Sequence, residues 1–539
     1  MVLLPEVLLV AAALVLAILG ILVPRRTTLL WAIAVGVVLV AGVLTVDLML
    51  ASLVTQGSLF QPLGLNLWEA PIGAPLGAQP LSDLHLTKDL FSMFFHIVFL
   101  AVAFLAILAS RAYVKKDEPH QAEYYALMLM SVFGMMIVSE ATDLFVIFLA
   151  FELSSLSTFA LVAFRKKDAK ATEAAAKFFI IGAVSSALIL FGISLIYGVT
   201  GSTSIGATLD FVGGQPASGM NQALGEAAAT GFEPTIIVAI VMLIAGFGFK
   251  IATVPFHQWA PDVYEGAPDT ITVFLAAGTK KVGVVAFIKL FLLGLVAVTQ
   301  DWLFALAMLA VLTQTVGNVL AIPQRSMKRM LAYSSIAQAG YILIAIVVAT
   351  IGYDRTQGRY VASPAMDVAA YAMGGGLYHV LTHAIMKGGA FLAVSAASVY
   401  VGDRIDDYRG LSKRMPFVSL ALAIFLLSLA GIPPFGGFFS KFVLFSSAIN
   451  AAPYNSWMVW LAVAGVLNSA LSLYYYARVI RYMYIEESTD VQPLKVPGSM
   501  NLAIGIALFG IILTGAAAGP FIYAAQEAGR QFFFSVPIG

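Results

Sequence analysis

The chain has 539 residues, 60% of them hydrophobic and 11% charged, with a formal net charge of +1. Apolar runs of about 20 residues recur throughout, which no soluble domain requires, so the composition predicts a polytopic, all-α membrane protein. The basic residues are dispersed and several fall inside apolar runs, which argues against nucleic-acid binding. The absence of cysteine excludes disulfides, thiolate zinc sites and cysteine-ligated iron–sulfur clusters on this chain.

In chain order, the N-terminal run MVLLPEVLLVAAALVLAILGILVPRR lacks the basic start of a signal peptide and reads as the first span. The apolar windows predict about fourteen spans, near 4–23, 29–51, 89–110, 122–140, 142–164, 173–198, 234–254, 270–299, 302–322, 329–350, 367–400, 416–449, 456–480 and 499–520. The longest loops, 52–88 and 199–233, are rich in Gly, Pro and small residues, as surface loops are. With the N-terminus outside, the loops assigned to the inner face hold 19 of the 30 Lys and Arg residues. The outer loops and the tail hold four: Lys88, Arg355, Arg359 and Arg530. So strong an inner bias supports the span count and places both termini on the outer side. About nineteen residues follow the last span, too few for a long lateral helix, so Phe521–Gly539 is expected as a short tail capping it.

Two stretches interrupt the apolar pattern. In Gly246–Pro268, GFGFKIATVPFHQWAPDVYEGAP, two glycines and Pro255 loosen the helix around Lys250. In Gly431–Lys441, GIPPFGGFFSK, a second break is followed by Lys441. Lipid tolerates such breaks only where the backbone is buried in protein or lines a wet cavity. Paired interruptions in corresponding halves point to a transport site, so Lys250 and Lys441 are expected to lie equivalently, each beside the loop of a discontinuous helix.

The remaining seven basic residues fall within spans: Lys177, Lys250, Lys280, Lys281, Lys289, Lys387 and Lys441. An intramembrane lysine costs roughly 2.5–3.5 kcal/mol on insertion scales, so seven argue against a plain scaffold. Lys289 lies about 180° from Lys280 on a helix and is expected to snorkel outward or to be structural; Lys177, near a span end, can snorkel too. Glu152 is the clearest intramembrane acid, with a helix–helix hydrogen bond as the alternative to a charge-coupled role. His379, His383 and Lys387 form H-x3-H-x3-K, a single helical stripe with steps of about 6 Å that a water can bridge. Histidine titrates near neutrality and suits a proton relay. Two His at this spacing can also ligate zinc, but no third-ligand pattern accompanies them, so no metal is expected. His257 follows Pro255 near the surface end of the broken helix, and His85, His96 and His120 read as isolated and structural.

These residues carry a family resemblance. FELSSLSTFALVAF at 151–164, ATEAAAKFFIIGAVSSALILFGISLIYGVTGS at 171–202 and FKIATVPFHQWAPDVYEGAP at 249–268 resemble the antiporter-like membrane subunits of respiratory complex I. Within them, subunit N, also called subunit 2, is the nearest pattern. AGTKKVGVVAFIKLF at 277–291, KRMLAYSSIAQAGYILI at 328–344 and LAGIPPFGGFFSKF at 429–442 extend the likeness across roughly 121–482.

The resemblance implies two inverted five-helix repeats, 121–300 and 301–482, after a three-helix segment at 1–120 and before a C-terminal helix and tail at 483–539. It implies proton-translocating roles for Glu152, Lys177, Lys250, Lys280 and Lys441 by motif, with Lys280 aligned by its distance from Lys289. HVLTHAIMKGGAFL at 379–392 departs from many N subunits and is closer to the histidine-bearing span of the sister subunits. That points to a less common branch, such as an archaeal or bacterial enzyme with an unusual electron donor, for example F420H2. No cofactor is then expected on this chain. Flavin, iron–sulfur clusters and quinone belong to partner subunits, and the other membrane-arm subunits and lipid are the expected partners in a prokaryotic cell membrane. The charge state of Glu152 would set that of Lys250. The proton would then pass through Lys280, the His379/His383/Lys387 stripe and Lys441. A subunit of a multi-subunit Na+/H+ antiporter or of a membrane-bound hydrogenase is the competing reading, since both share these motifs.

Overall fold

The computed structural model describes residues 3–22, 27–53, 79–81, 85–113, 120–205, 208–212, 215–217, 219–488, 490 and 492–535. The chain is built from helices, with three short antiparallel hairpins, β1–β2 (Gln79–Leu81, Leu86–Lys88), β3–β4 (Thr208–Val212, Gln215–Ala217) and β5–β6 (Tyr353–Asp354, Arg359–Tyr360). Among the described residues, thirteen helical segments are long and apolar enough to cross a membrane. A fourteenth expected crossing, 416–449, is split in two.

The order begins with α1 (Leu4–Leu22), α2 (Thr27–Leu53) and α3 (Leu90–Tyr113), then α4 (Gln121–Glu140), α5 (Leu144–Val162) and α6 (Ala169–Thr200). A short α7 (Met220–Ala227) leads into α8 (Glu233–Ile251), which breaks off before α9 (Trp259–Gly266). The next crossing is α10 (Asp269–Phe274) and α11 (Lys280–Lys289), joined by the π-helical turn Leu275–Thr279 and followed by another at Leu290–Gly294. Then come α12 (Thr299–Ala321), α13 (Met327–Ala349), α14 (Pro364–Val401), α15 (Leu411–Arg414), α16 (Pro416–Ala430), α17 (Gly436–Asn450), α18 (Val459–Tyr484), α19 (Gly498–Ala516) and α20 (Ala518–Ser535).

Several starts follow from local chemistry. The Asp143 carboxylate accepts the Phe145 and Val146 amides at 2.7 and 3.1 Å, capping α5. Asp168 does the same for α6, Ser326 for α13, and Ser363 with Pro364 behind it for α14.

Burial sorts the helices into a centre and a rim. The Asp269–Gly294 segment is wholly buried and Met327–Gly352 almost so, whereas α1, α2 and α6 turn most of their apolar surface outward. The charged helices α11, α13 and α14 are thus inside, where protein rather than lipid surrounds their polar groups.

The C-terminus differs from expectation. Instead of a cap on α19, α20 runs along α3 and α14. Gln531 accepts the Leu90 amide at 2.6 Å, and Phe532 and Phe533 pack at a tilt against Phe91 and Tyr360 with ring centres 4.5 and 4.6 Å apart. An amphipathic run in which Ala525, Ala528, Phe532 and Phe533 are buried makes this docking favourable. It stays on neighbouring helices of its own chain.

Backbones approach closely at the second break, where Gly515 lies against Pro434 and Gly437 against Ser428. A Cβ at Gly437 would sit 1.9 Å from the Ser428 carbonyl oxygen, so the backbones must separate to admit it. Gly437→Ala should cost roughly 1–3 kcal/mol and lower the yield of assembled protein and its Tm, read by thermal unfolding of the purified complex. Gly498→Ala, with nothing within 4 Å, should change neither.

Candidate functional site

The first break forms as the glycine and proline pattern predicts. Gly246 lets α8 lie against α6, where the Ser185 hydroxyl donates to the Gly246 carbonyl at 2.6 Å. The helix stops at Ala252 in the left-handed region (φ 58°), and the exposed carbonyls find partners. Thr253 N–H bonds to Gly248 O at 2.9 Å, and Trp259 Nε1 bonds to Phe249 O at 2.8 Å. Broken backbone is therefore satisfied inside protein. Lys250, in the last turn of α8 and 1% exposed, points its amine into α5. There it donates to Ser155 Oγ at 2.9 Å and sits 5.5–5.8 Å from the rings of Phe151, Phe159 and Phe178.

The second break stops α16 at Gly431 (φ 87°) and restarts as α17 at Gly436. Lys441 reaches back to it, donating to Leu429 O at 2.8 Å and Ser469 Oγ at 2.9 Å. An ammonium at the open carbonyl end of a half-helix meets the negative pole of its dipole. Both lysine amines thus lie at breaks. Lys250 precedes its break, and Lys441 follows its own.

Between them stand the buried side chains of α11 and α14. Lys280 donates to the Ser335 carbonyl at 3.0 Å. Lys281 lies 2.5 Å from His383 Nδ1, and the His383 and His379 rings stack with centres 6.2 Å apart. His379 joins Ser440 Oγ at 3.0 Å through Nδ1 and Gln338 Oε1 at 2.9 Å through Nε2. Ser440 is the neighbour of Lys441 in sequence. Lys387 turns to α13, donating to Ser334 Oγ at 2.7 Å, and Ser334 is bonded in turn to Tyr476. The stripe therefore faces the interior, with His383 meeting α11, Lys387 meeting α13, and His379 meeting both α13 and α17.

None of the five amines of Lys250, Lys280, Lys281, Lys387 and Lys441 pairs with a carboxylate among the described residues. Each is held by hydroxyls, carbonyls, an imidazole or aromatic faces. A charge placed on one is felt by the next through a low-dielectric interior.

Other expected site residues lie apart from this row. Glu152 is half-buried on α5, accepts Ser186 Oγ at 2.6 Å and makes no ion pair with Lys250. It sits one helical turn before Ser155, the partner of Lys250. Lys177 is 42% exposed and pairs with Glu173 at 2.7 Å and with Asp262 of α9 at 2.8 Å, which also binds Arg329. Lys289 does not snorkel; it is 4% exposed and donates to Ala141 O at 2.6 Å. Lys88, assigned to an outer loop, is also buried, paired to two glutamates. Sequence reasoning named Lys280 and left Lys281 open, and it passed over Ser155, Gln338 and Ser440. Only Ser155, at i+3 from Glu152, carried a local signal.

The family model for the transmembrane part of NADH:quinone oxidoreductase and Mrp antiporter subunits matches residues 141–472. F420H2 dehydrogenase subunit N of Methanosarcina mazei is 45% identical over 82% of this chain and 84% of its own length. NADH-quinone oxidoreductase subunit N of Trichlorobacter lovleyi is 39% identical over 82% and 83%. Among solved structures, a chain of respiratory complex I from Thermus thermophilus superposes with a TM-score of 0.70 at 25% identity, covering 96% of this chain and 98% of that one. A chain of the Mrp complex from Dietzia superposes with a TM-score of 0.76 at 18% identity over 99% of each, a likeness of fold alone. With the matched segment spanning α5 through most of α18 and holding every residue of the lysine–histidine row, the chain belongs to the NADH:quinone oxidoreductase/Mrp antiporter family of membrane subunits.

Proposed function

We propose that this chain is a proton-translocating membrane-arm subunit of a complex I-like respiratory oxidoreductase, carrying no redox group itself. The observation behind this reading is the buried row Lys250, Lys280, Lys281, His383, His379, Ser440 and Lys441, with Lys387 beside it. Protons move between such groups by hydrogen-bonded steps, with waters spanning the longer gaps. Glu152, one turn from Ser155, acts on the charge of Lys250, and Lys177 acts from the surface end through Asp262. Electron donor, flavin, clusters and quinone belong to partner subunits, and the inner bias of basic residues puts both termini outside. The two halves, 121–300 and 301–482, act as inverted repeats around the two breaks.

The whole complex, purified and reconstituted in sodium-free liposomes, should acidify the lumen or the medium when given donor and acceptor. Dependence of that signal on added sodium would favour the Na+/H+ antiporter reading.

Lys281 carries the link to His383, so Lys281→Ala should reduce pumping more than Lys280→Ala does. Equal losses, measured by dye quenching in the same vesicles, would show that the Lys281–His383 contact does not conduct.

A further inference from the structure

A second set of buried ionisable groups lies where α1 begins, α3 begins, and α4 and α11 end. Glu6, Lys88, Asp89, His96, Glu140 and Lys289 are each at most 4% exposed. The Lys88 ammonium donates to Glu6 Oε1 and to Glu140 Oε1, both at 2.5 Å. His96 bridges the same pair, with Nδ1 3.2 Å from Glu6 and Nε2 3.5 Å from Glu140. The ligand atoms of Glu6, His96 and Glu140 all lie within 4.8 Å of one another. The other carboxylate oxygen of each glutamate, Oε2, is buried without a hydrogen-bond partner.

The charges do not balance. Two carboxylates, Glu6 and Glu140, meet the single ammonium of Lys88, with His96 bridging them. A net buried negative charge is costly, and one bound proton removes it. Two carboxylates converging on one ammonium share such a proton as a pair. The three convergent ligand atoms also suit a cation, but Lys88 already supplies one in that place.

We propose that Glu6, Glu140 and His96, gathered around Lys88, form a second proton-binding station that holds one exchangeable proton. It takes the proton onto a carboxylate oxygen and returns it to water. Lys289 connects it to the lysine–histidine row, because the same helix α11 carries Lys280 and Lys281 about 13 Å away along its axis. Asp89 and Glu140 lie within electrostatic reach of Lys289, whose amine bonds to the carbonyl next to Glu140. The cluster lies beside the Leu86–Ala141 backbone pairing, at the end of the bundle where α1 and α3 begin. The station is thus placed to exchange protons at the membrane face where α1 begins. This role as a terminus rests on the translocation reading above; the bound proton does not.

The test is infrared difference spectroscopy of the whole purified complex through a pH jump, in H2O and D2O. A D2O-sensitive carboxylic-acid C=O band is expected, and it should be lost or shifted in both Glu140→Gln and Glu6→Gln. Each substitution leaves Lys88 one carboxylate partner, so assembly is expected. Donor-driven proton release should slow by about tenfold in Glu140→Gln. A band that persists unchanged in both variants, or its absence from the unaltered complex, overturns the proposal. Lys250→Ala should keep the band while losing pumping, so failure of the main row and failure of this station are read separately.

Discussion

Lys250→Ala should reduce donor-driven proton pumping on the order of a hundredfold, the scale of one positioned proton-transfer group, while the complex still assembles. The amine is 1% exposed, ends α8 at its break, and among the described residues has the Ser155 hydroxyl and three aromatic faces for partners. Removing it takes out the amine that the proposed path places between Glu152 and α11. Alanine also leaves a void among Phe151, Phe159 and Phe178, so a second variant separates loss of packing from loss of titration. Lys250→Arg keeps a positive charge over the same rings but carries a guanidinium that does not deprotonate in proteins. A relay predicts that Lys250→Arg fails almost as badly as Lys250→Ala. If Lys250 only fixes a charge there, Arg restores pumping. The measurement is the ratio of protons translocated to donor oxidised, in proteoliposomes, for both variants side by side.

The double variant His379→Gln with His383→Gln should slow pumping by roughly tenfold, less than Lys250→Ala because waters can span part of the gap. Each imidazole now has a defined partner set, His379 between Ser440 and Gln338 and His383 against Lys281. Glutamine can keep hydrogen bonds to these neighbours, so helix packing should survive. It cannot accept and return a proton near neutral pH. Polar contacts between membrane helices average well under 2 kcal/mol, so glue alone predicts assembled complex with unchanged rate and yield. Unaltered stopped-flow proton release in the double variant would decide for glue.

Much of this was legible before any coordinates. The long apolar runs determine the thirteen long apolar helices of the described residues and the split segment 416–449, because hydrocarbon leaves the backbone no partner but its own helix. Glycine and proline at 246–255 and 431–434 determine both breaks, since they weaken the helical ladder locally wherever they stand. The H-x3-H-x3-K spacing determines one inward stripe on α14, because helical periodicity is a property of the chain alone.

What the sequence left undecided are contacts between segments far apart in the chain. Lys280 and Lys281 differ by one residue, and only the packing of α11 against α13 and α14 turns one to Ser335 and the other to His383. The π-helical turns at both ends of α11, invisible in an apolar pattern, set that helix's phase. Lys289 read as snorkelling or structural, because it lies about 180° from Lys280 on the helix, and Lys88 read as an outer-loop residue. Lys88 is buried against Glu6 and Glu140, which lie 82 and 52 positions away, and Lys289 against the Ala141 carbonyl. An ion pair of that range is a consequence of helix packing, and no local pattern encodes it.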